Sequence, residues 1–544
     1  MGRTEDSGPA APRHREGPAR RRVLGLAAGL VASAPLPAAA APAHLPSAAG
    51  QGPAAVAPAA APSGLDVASE NRRPGDPDWR ITRAGRARAI EGFAEAASVL
   101  PGEPLGLRVS TTAPSYTVSA YRMGWYGGAR ARLVWRSPAL PGVLQPARQV
   151  DPATRTARAE WRRTAEADTT GWPEGNYLLR LDTVGGERAQ RYVPVTVRSA
   201  SAAGRMVFAN AVGTWQAYNR WGGADLYQGA TGKRGSRSLA VTFDRPYSNA
   251  RGAGQFLTYE APLLALAERI GAPLAYATGI DVARDPALLR GAAALLSPGH
   301  DEYWSPEQRR NVTAARDEGM NLAVFGANCC YRRVRFQETA VGADRTLVCY
   351  KDDYAADPGF RRGLPPTNDY RGRPSPDPES SLLGVIYSGY PVDAPLVVTR
   401  PGHWLLAGTG AGAGESFPHL VGVEYDRIDL RYPTPRPVEI LAHSPVVLKG
   451  RHTYADAVYA SLPSGAGLFA TGTMRWVEAL EAGTAGVKVK HGLDARTGRF
   501  TRTVTENVLR AFAAGPAGRA RPARDDVSLH YRPDGAPTGP ASGV

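Results

Sequence analysis

From Asp78 onward, apolar and polar residues alternate with a period of two. Val109-Ser-Thr-Thr, Tyr116-Thr-Val-Ser-Ala-Tyr-Arg, Asn176-Tyr-Leu-Leu-Arg-Leu and Arg191-Tyr-Val-Pro-Val-Thr-Val are short runs of this kind, separated by Gly, Pro and Asp turns. That texture predicts an all-β, immunoglobulin-like sandwich over 78–199. After Gly204 the pattern changes. Arg205-Met-Val-Phe-Ala-Asn, Leu274-Ala-Tyr-Ala-Thr, Ala292-Ala-Ala-Leu-Leu-Ser and Leu322-Ala-Val-Phe are apolar runs that read as buried strands. Between them, Tyr259 to Ile270 carries Leu263, Leu264 and Leu266 as a helix, and a second helix starts at Pro306. There Ser305 can cap, Pro306 suits the first turn and Gln308 completes a capping box. Strand, helix, strand at this spacing predicts an α/β domain over 205–514, with a mostly parallel sheet and helices on its faces. Past Gln337 the reading weakens into Gly-rich loops and short strands. Residues 515–544 read as a flexible tail.

The N-terminus belongs to neither pattern. Arg20-Arg21-Arg22-Val23-Leu24 precedes an apolar run to Val31 and small residues through Ala41. Basic, apolar and Ala-x-Ala segments in that order predict a secretory signal over 1–41, and Arg20-Arg21-x-Val23-Leu24 looks like the twin-arginine signal that exports folded proteins. The apolar run is too short and Ala-rich for a permanent membrane span. Residues 42–77 are mostly Ala, Pro, Gly and Ser, a linker composition. The expected product is a secreted or extracytoplasmic protein.

Composition narrows the function classes. The chain has 544 residues, 43% of them apolar, enough for more than one domain. Its formal charge is +15, yet only five of the 65 basic residues are Lys, and acidic residues are interspersed with the arginines. Nucleic-acid binding needs a basic face or stripe, and neither that nor a zinc-finger or RNP-like run is visible, so no nucleic-acid partner is expected. The three cysteines, Cys329, Cys330 and Cys349, contain no CxxC and allow at most one bridge. In an oxidising compartment a bridge to Cys349 is the expectation. No Gly-x-Ser-x-Gly elbow, HExxH, P-loop or dinucleotide fingerprint occurs, which removes the common hydrolase, zincin, nucleotide and NAD readings.

The chemistry is expected beyond the carboxyl ends of the parallel strands. Gly299-His-Asp-Glu-Tyr-Trp follows one predicted strand and Gly326-Ala-Asn-Cys-Cys follows the next. Two neighbouring strands would thus deliver His, Asp, Glu, Asn and Cys to one rim, unless these are only turn and capping residues.

Several segments carry a resemblance: Tyr121-Arg-Met-Gly-Trp-Tyr-Gly-Gly, Trp215-Gln-Ala-Tyr-Asn, Thr258-Tyr-Glu, Ser297-Pro-Gly-His-Asp-Glu-Tyr-Trp-Ser, Gly326-Ala-Asn and Val334-Arg-Phe. Together, over about 80 to 512, the chain resembles the large (β) subunit of N,N-dimethylformamidase and its relatives. The resemblance implies a glutamine amidotransferase-like fold for the α/β domain. It also implies a mononuclear, ferric iron held by two tyrosinates and a glutamate. Those roles fall on Tyr218, Tyr259 and Glu302, with His300 matching a non-ligating active-site histidine. Phenolate and carboxylate oxygens are hard anionic donors that suit ferric iron better than zinc or copper(I). Such an ion polarises an amide carbonyl and acidifies water, while His300 carries protons to the leaving amine. Asn328 can donate to a developing oxyanion or hold its turn. Lys351 and Glu424, in segments that also resemble the family, would pair or assist proton transfer.

The expected function is therefore an exported, iron-dependent amidohydrolase that cleaves a small or N-substituted amide. The rival is an exported, non-catalytic binding or cell-surface module that kept the fold. A glycan-directed reading built on the sandwich and the tryptophans has no motif behind it. The dimethylformamidase large subunit works with a small subunit, of which this chain shows no counterpart, so a partner subunit or a homo-oligomer stays open.

Overall fold

The computed structural model describes residues 64–538, all within one compact unit. The signal read at 1–41 and the linker as far as 63 lie outside the described residues. The rest of the expected linker is ordered. The helix Val67–Asn71 is capped by Asp66, and its buried Glu70 pairs with Arg132 at 2.6 Å.

The first region is built mainly on two sheets, antiparallel except where the short strand Ser98–Val99 pairs parallel with Gln190–Val197. Strands β1 (Ile90–Ala94), β2 (Leu105–Thr111), β3 (Ser115–Met123), β4 (Ala131–Arg136), β5 (Ala165–Ala167), β6 (Gly175–Val184) and β7 (Gln190–Val197) follow in chain order. One sheet runs β1-β2-β5, and the other contains the path β7-β6-β3-β4. Leu105, Leu107 and Val109 from one sheet share a core with Val118, Leu179, Leu181 and Val195 from the other.

The second region is built on a seven-stranded sheet. Its elements are β8 (Met206–Asn210), α1 (Val212–Ala217), α2 (Phe256–Tyr259), α3 (Ala261–Arg269), β9 (Leu274–Thr278), β10 (Ala294–Gly299), α4 (Pro306–Asp317) and β11 (Asn321–Gly326). After a long excursion come β12 (Ile386–Val397), β13 (Ser416–Arg427), β14 (Val438–Leu448), β15 (Arg451–Ser461) and β16 (Gly467–Ala470). The sheet order is β9-β8-β10-β11-β16-β15-β14, with β12 and β13 pairing separately. The first five strands are mutually parallel, and β15 pairs antiparallel with both β16 and β14. Every residue of β8, β9, β10 and β11 is buried, as parallel strands covered on both faces require. At the start of α4, Ser305 Oγ accepts from the Gln308 N–H at 3.2 Å and Pro306 occupies the first turn.

Two expectations differ from the structure. Residues 515–538, read as part of a flexible tail, pack onto the sheet and bury Ala517, Val527 and Tyr531. Polar side chains fix their path: Asn321 Oδ1 accepts from the Ala517 N–H at 2.9 Å, and Tyr531 Oη donates to Asp456 at 2.6 Å. The three cysteines are buried and unbridged. Cys329 and Cys330 belong to the core beneath the sheet, whereas Cys349 packs with Tyr303 and Leu347 in another cluster.

Candidate active site

The site forms where β10 and β11 end. Gly299 closes β10 with φ of 36°, and a Cβ there would lie 2.5 Å from the Tyr259 carbonyl oxygen. A Cβ on Gly326, which closes β11, would lie 1.9 Å from the Gly299 carbonyl oxygen. Only glycines allow this approach, which sets α2 and Tyr259 directly over the strand ends. Beyond Gly299, residues 300–304 turn inward and are all buried. Their backbone is tied to the following loop by Cys330 N–H to Asp301 O and Arg332 N–H to Glu302 O, both 2.8 Å.

Glu302 is the centre of the cluster. Tyr218, just after α1, donates to Glu302 Oε2 at 2.7 Å, and Tyr227 donates to Oε1 at 2.5 Å. The two phenol rings stack with centroids 4.7 Å apart. His300 Nε2 lies 3.6 Å from Glu302 Oε2 and 4.0 Å from Glu424 Oε2, charge contacts rather than hydrogen bonds. Its Nδ1 faces Gln255 Oε1 at 3.2 Å. The His300 ring sits between Tyr218 at 5.0 Å and Tyr259 at 5.5 Å, centroid to centroid. Arg332 Nε is 3.6 Å from Glu302 Oε1, and Lys351 Nζ stands 3.3 Å over the Tyr227 ring. Asn328 N–H donates to Asp426 at 2.8 Å, which holds the Asn328 loop beside Glu424.

All seven residues singled out in the sequence therefore converge on one buried cluster. Tyr218, Glu302, His300 and Glu424 meet directly, Tyr259 closes the far side of His300, and Lys351 reaches the cluster through Tyr227. Asn328 enters from β11. Sequence reasoning missed Tyr227, Arg332 and Gln255. Tyr227 lies in a loop that returns beneath α1, where Leu226 N–H bonds Ala217 O at 3.1 Å, and no spacing rule signals that return.

Charge is distributed unevenly over these groups. Burial alone would raise the Glu302 carboxyl, but His300, Lys351 and Arg332 outweigh it and hold Glu302 ionised. Burial pushes Glu424 up, against the pull of His300. His300 is raised because Glu302 and Glu424 outweigh its burial. Burial, helped by the charge of Arg332, brings Lys351 down to about 7. Tyr218 and Tyr227 are pushed far up, by burial first and then by Glu302. Burial, Glu424 and Glu478 raise Tyr259 to about 12. Groups whose protonation preferences are driven apart in one cleft are what acid–base catalysis uses.

Several polar atoms here have no hydrogen-bond partner: His300 Nε2, Glu424 Oε2, Asn328 Oδ1 and Lys351 Nζ. Orphaned buried polar atoms of this kind mark a place for a ligand, ion or water. Among the described residues, no group of three or more His, Cys, Asp and Glu side chains could hold a metal ion. Any metal at this cluster therefore depends on phenol oxygens. Asn328, Cys330 and Lys351 also hold left-handed backbone conformations, with φ of 59°, 52° and 56°. Non-glycine residues in that region store strain, and such positions concentrate at functional sites.

A family model described as "N,N-dimethylformamidase beta subunit-like, C-terminal" matches residues 117–490, well over half of the chain. The chain belongs to the N,N-dimethylformamidase beta subunit-like family. That match encloses every residue of the cluster and places the protein with an amide hydrolase named for one of its subunits. No curated protein matches the chain significantly. Among solved structures, a cycloisomaltooligosaccharide glucanotransferase of Paenibacillus sp., complexed with cycloisomaltoheptaose, aligns at 9% identity and a TM-score of 0.14. The alignment covers 46% of this chain and 29% of that one, so this dimethylformamidase-like chain spans less than a third of that protein's length. A likeness that low carries no argument. No described helix is long and apolar enough to cross a membrane.

Proposed function

We propose that this chain is an iron-dependent amidohydrolase that cleaves a small or N-substituted amide into an acid and an amine. The observation that carries the reading is the buried Glu302 carboxyl, met by the phenols of Tyr218 and Tyr227 and ringed by orphaned polar atoms of His300, Glu424 and Lys351. The donor set fits a ferric ion, since its oxygens are hard and anionic once the phenols lose their protons. Tyr218, Tyr259 and Glu302 would hold the ion. Glu302 Oε2 is the oxygen turned towards Tyr218 and His300, while Oε1 is held by Tyr227 and Arg332. Bound there, iron supplies Lewis acidity to a substrate carbonyl.

The side chains supply the proton chemistry. In its neutral form, with Nδ1–H towards Gln255 Oε1, His300 would present Nε2 as the acceptor for a proton from an attacking water, and the carboxylates of Glu302 and Glu424 would stabilise the imidazolium that results. Glu424, 4.0 Å from that nitrogen and biased towards its protonated form, would give its proton to the departing amine and then regain one from the protonated His300. The Asn328 amide would donate to the carbonyl oxygen as charge develops there. Lys351 keeps Glu302 ionised.

In this reading the domain built on the parallel strands is glutamine amidotransferase-like and the sheets of the first region form an immunoglobulin-like domain. Arg20-Arg21 supports export in the folded state. A small subunit or a second copy of the chain is the expected partner.

The test is His300→Asn, with amine release, iron content and melting temperature measured on one preparation. Loss of a proton carrier costs roughly 10²- to 10⁴-fold in rate with folding and metal retained. Undiminished turnover refutes the role. If the wild type carries iron but releases no amine from a broad amide panel, a binding module replaces the enzyme.

A further inference from the structure

A cleft of about 250 Å³ opens beside Tyr259. Leu257, Pro262, Val423, Met474, Val487 and Val489 form its apolar lining. Val423 immediately precedes Glu424, and the Met474 N–H bonds the Glu424 carbonyl at 3.4 Å, so one wall of the cleft is continuous with the site. Tyr259 lines it as well, and its ring lies 5.5 Å from that of His300, centroid to centroid.

The charged groups around the cleft are already engaged. Arg475 pairs with Asp393 at 2.5 Å, Glu478 with His491 at 2.8 Å, and Glu481 with Arg130. Lys488 and Lys490 are exposed at the mouth. Besides Thr258, the Tyr259 phenol and the unpartnered Nε of Arg475, the surface left to contact a ligand inside is that of the six apolar side chains. We propose that this cleft receives an apolar arm of the amide substrate, so that the preferred substrates carry a butyl- to phenyl-sized substituent rather than only methyl groups.

The inference rests on the hydrolase reading above and adds the substrate class to it. Its volume is several times the ~30 Å³ share of a water and just under the ~300 Å³ lower edge for drug-sized ligands, which suits an arm of about four to six carbons. An apolar arm buried there is removed from water, the general source of such selectivity. Selection by size alone is modest, because one buried methylene is worth only ~0.8 kcal/mol, about 4-fold.

The experiment uses the full chain and two homologous series, N-alkylformamides from methyl to hexyl and N-methylalkanamides from formyl to hexanoyl. Amine release gives kcat/KM, and calorimetry gives binding of the same compounds to protein with and without iron. In one series kcat/KM should climb about 4-fold per methylene, corresponding to ~0.8 kcal/mol per buried CH2, and then level off. The series that climbs shows whether the arm is on nitrogen or on the acyl carbon. Met474→Trp fills the floor, and Val487→Asp, at an exposed position, wets the mouth without a folding risk. Either change should collapse the butyl-to-methyl ratio towards one. A flat response in both wild-type series, or an unchanged ratio in Val487→Asp, overturns the proposal. If no compound is hydrolysed, the hydrolase reading fails, and calorimetry decides the cleft separately. Tighter binding of butyl than methyl that Val487→Asp abolishes upholds it; equal binding of the two overturns it.

Discussion

Arg122 offers a sharp test of how the two regions are joined. It lies on β3 within Tyr121-Arg-Met-Gly-Trp-Tyr-Gly-Gly, and its side chain is fully buried, as is that of its partner Glu268 on α3. The guanidinium donates to Glu268 at 2.8 and 3.1 Å, to Tyr276 Oη at 3.0 Å, to Tyr126 Oη at 2.8 Å and to the Glu174 carbonyl at 2.8 Å. Glu268 also accepts from Asn71 at 2.9 Å and Tyr276 at 2.7 Å. Replacing Arg122 by Met leaves Glu268 as an uncompensated buried charge, a change that costs about 3–5 kcal/mol. In Arg122→Met/Glu268→Leu neither charge remains, so the double variant should be no less stable than the worse single variant. Urea unfolding followed by tryptophan fluorescence gives the cycle, with the coupling expected at roughly 0.5–3 kcal/mol. A loss below about 1 kcal/mol for Arg122→Met, or strict additivity in the double variant, would refute the reasoning. α3 follows directly on Tyr259, so the single variant should also loosen the site.

Two further outcomes follow from groups beside the site. Burial raises Asp426 to about 8 in the fold, against an unfolded value of about 3.9, so the folded chain keeps a proton that the unfolded chain releases. Stability should then fall as pH rises between about 4 and 8, by up to ~1.4 kcal/mol per unit from this group, and Asp426→Asn should flatten that slope in urea unfolding. An identical slope in the variant would show that Asp426 is ionised throughout. Asn328 has φ of 59°, so Asn328→Ala should lose about 1–2 kcal/mol to backbone strain while Asn328→Gly loses little. Both should lose turnover if the side-chain amide serves the reaction; normal rates in Asn328→Gly would exclude that role.

How much was legible depended on whether the information was local. The buried strands β8 to β11 announced themselves as unbroken apolar runs, and the rim residues followed from where those runs stop. The long strands β12 to β14 were missed because Gly389, Pro391, Pro395, Pro418, Gly422 and Pro445 interrupt them, and such residues read as loop. The tail looked loose because its Arg- and Ala-rich composition carries no periodicity; its order comes from Asn321 and Asp456, far away in sequence. In the site, Glu302 and His300 were visible as a compact motif. Tyr227 was not, since its role is set by a loop returning over about 75 residues of separation from Glu302.

The central claim is that Glu302, Tyr218 and Tyr259 hold an iron ion while Tyr227 only steadies Glu302. Elemental analysis of the purified chain, read beside its visible absorption from tyrosinate bound to ferric iron, tests it directly. The account predicts about one iron per chain, lost in Glu302→Gln, Tyr218→Phe and Tyr259→Phe, each still folded, and retained in Tyr227→Phe. A wild type that carries only zinc, or iron that survives Tyr259→Phe, would contradict it.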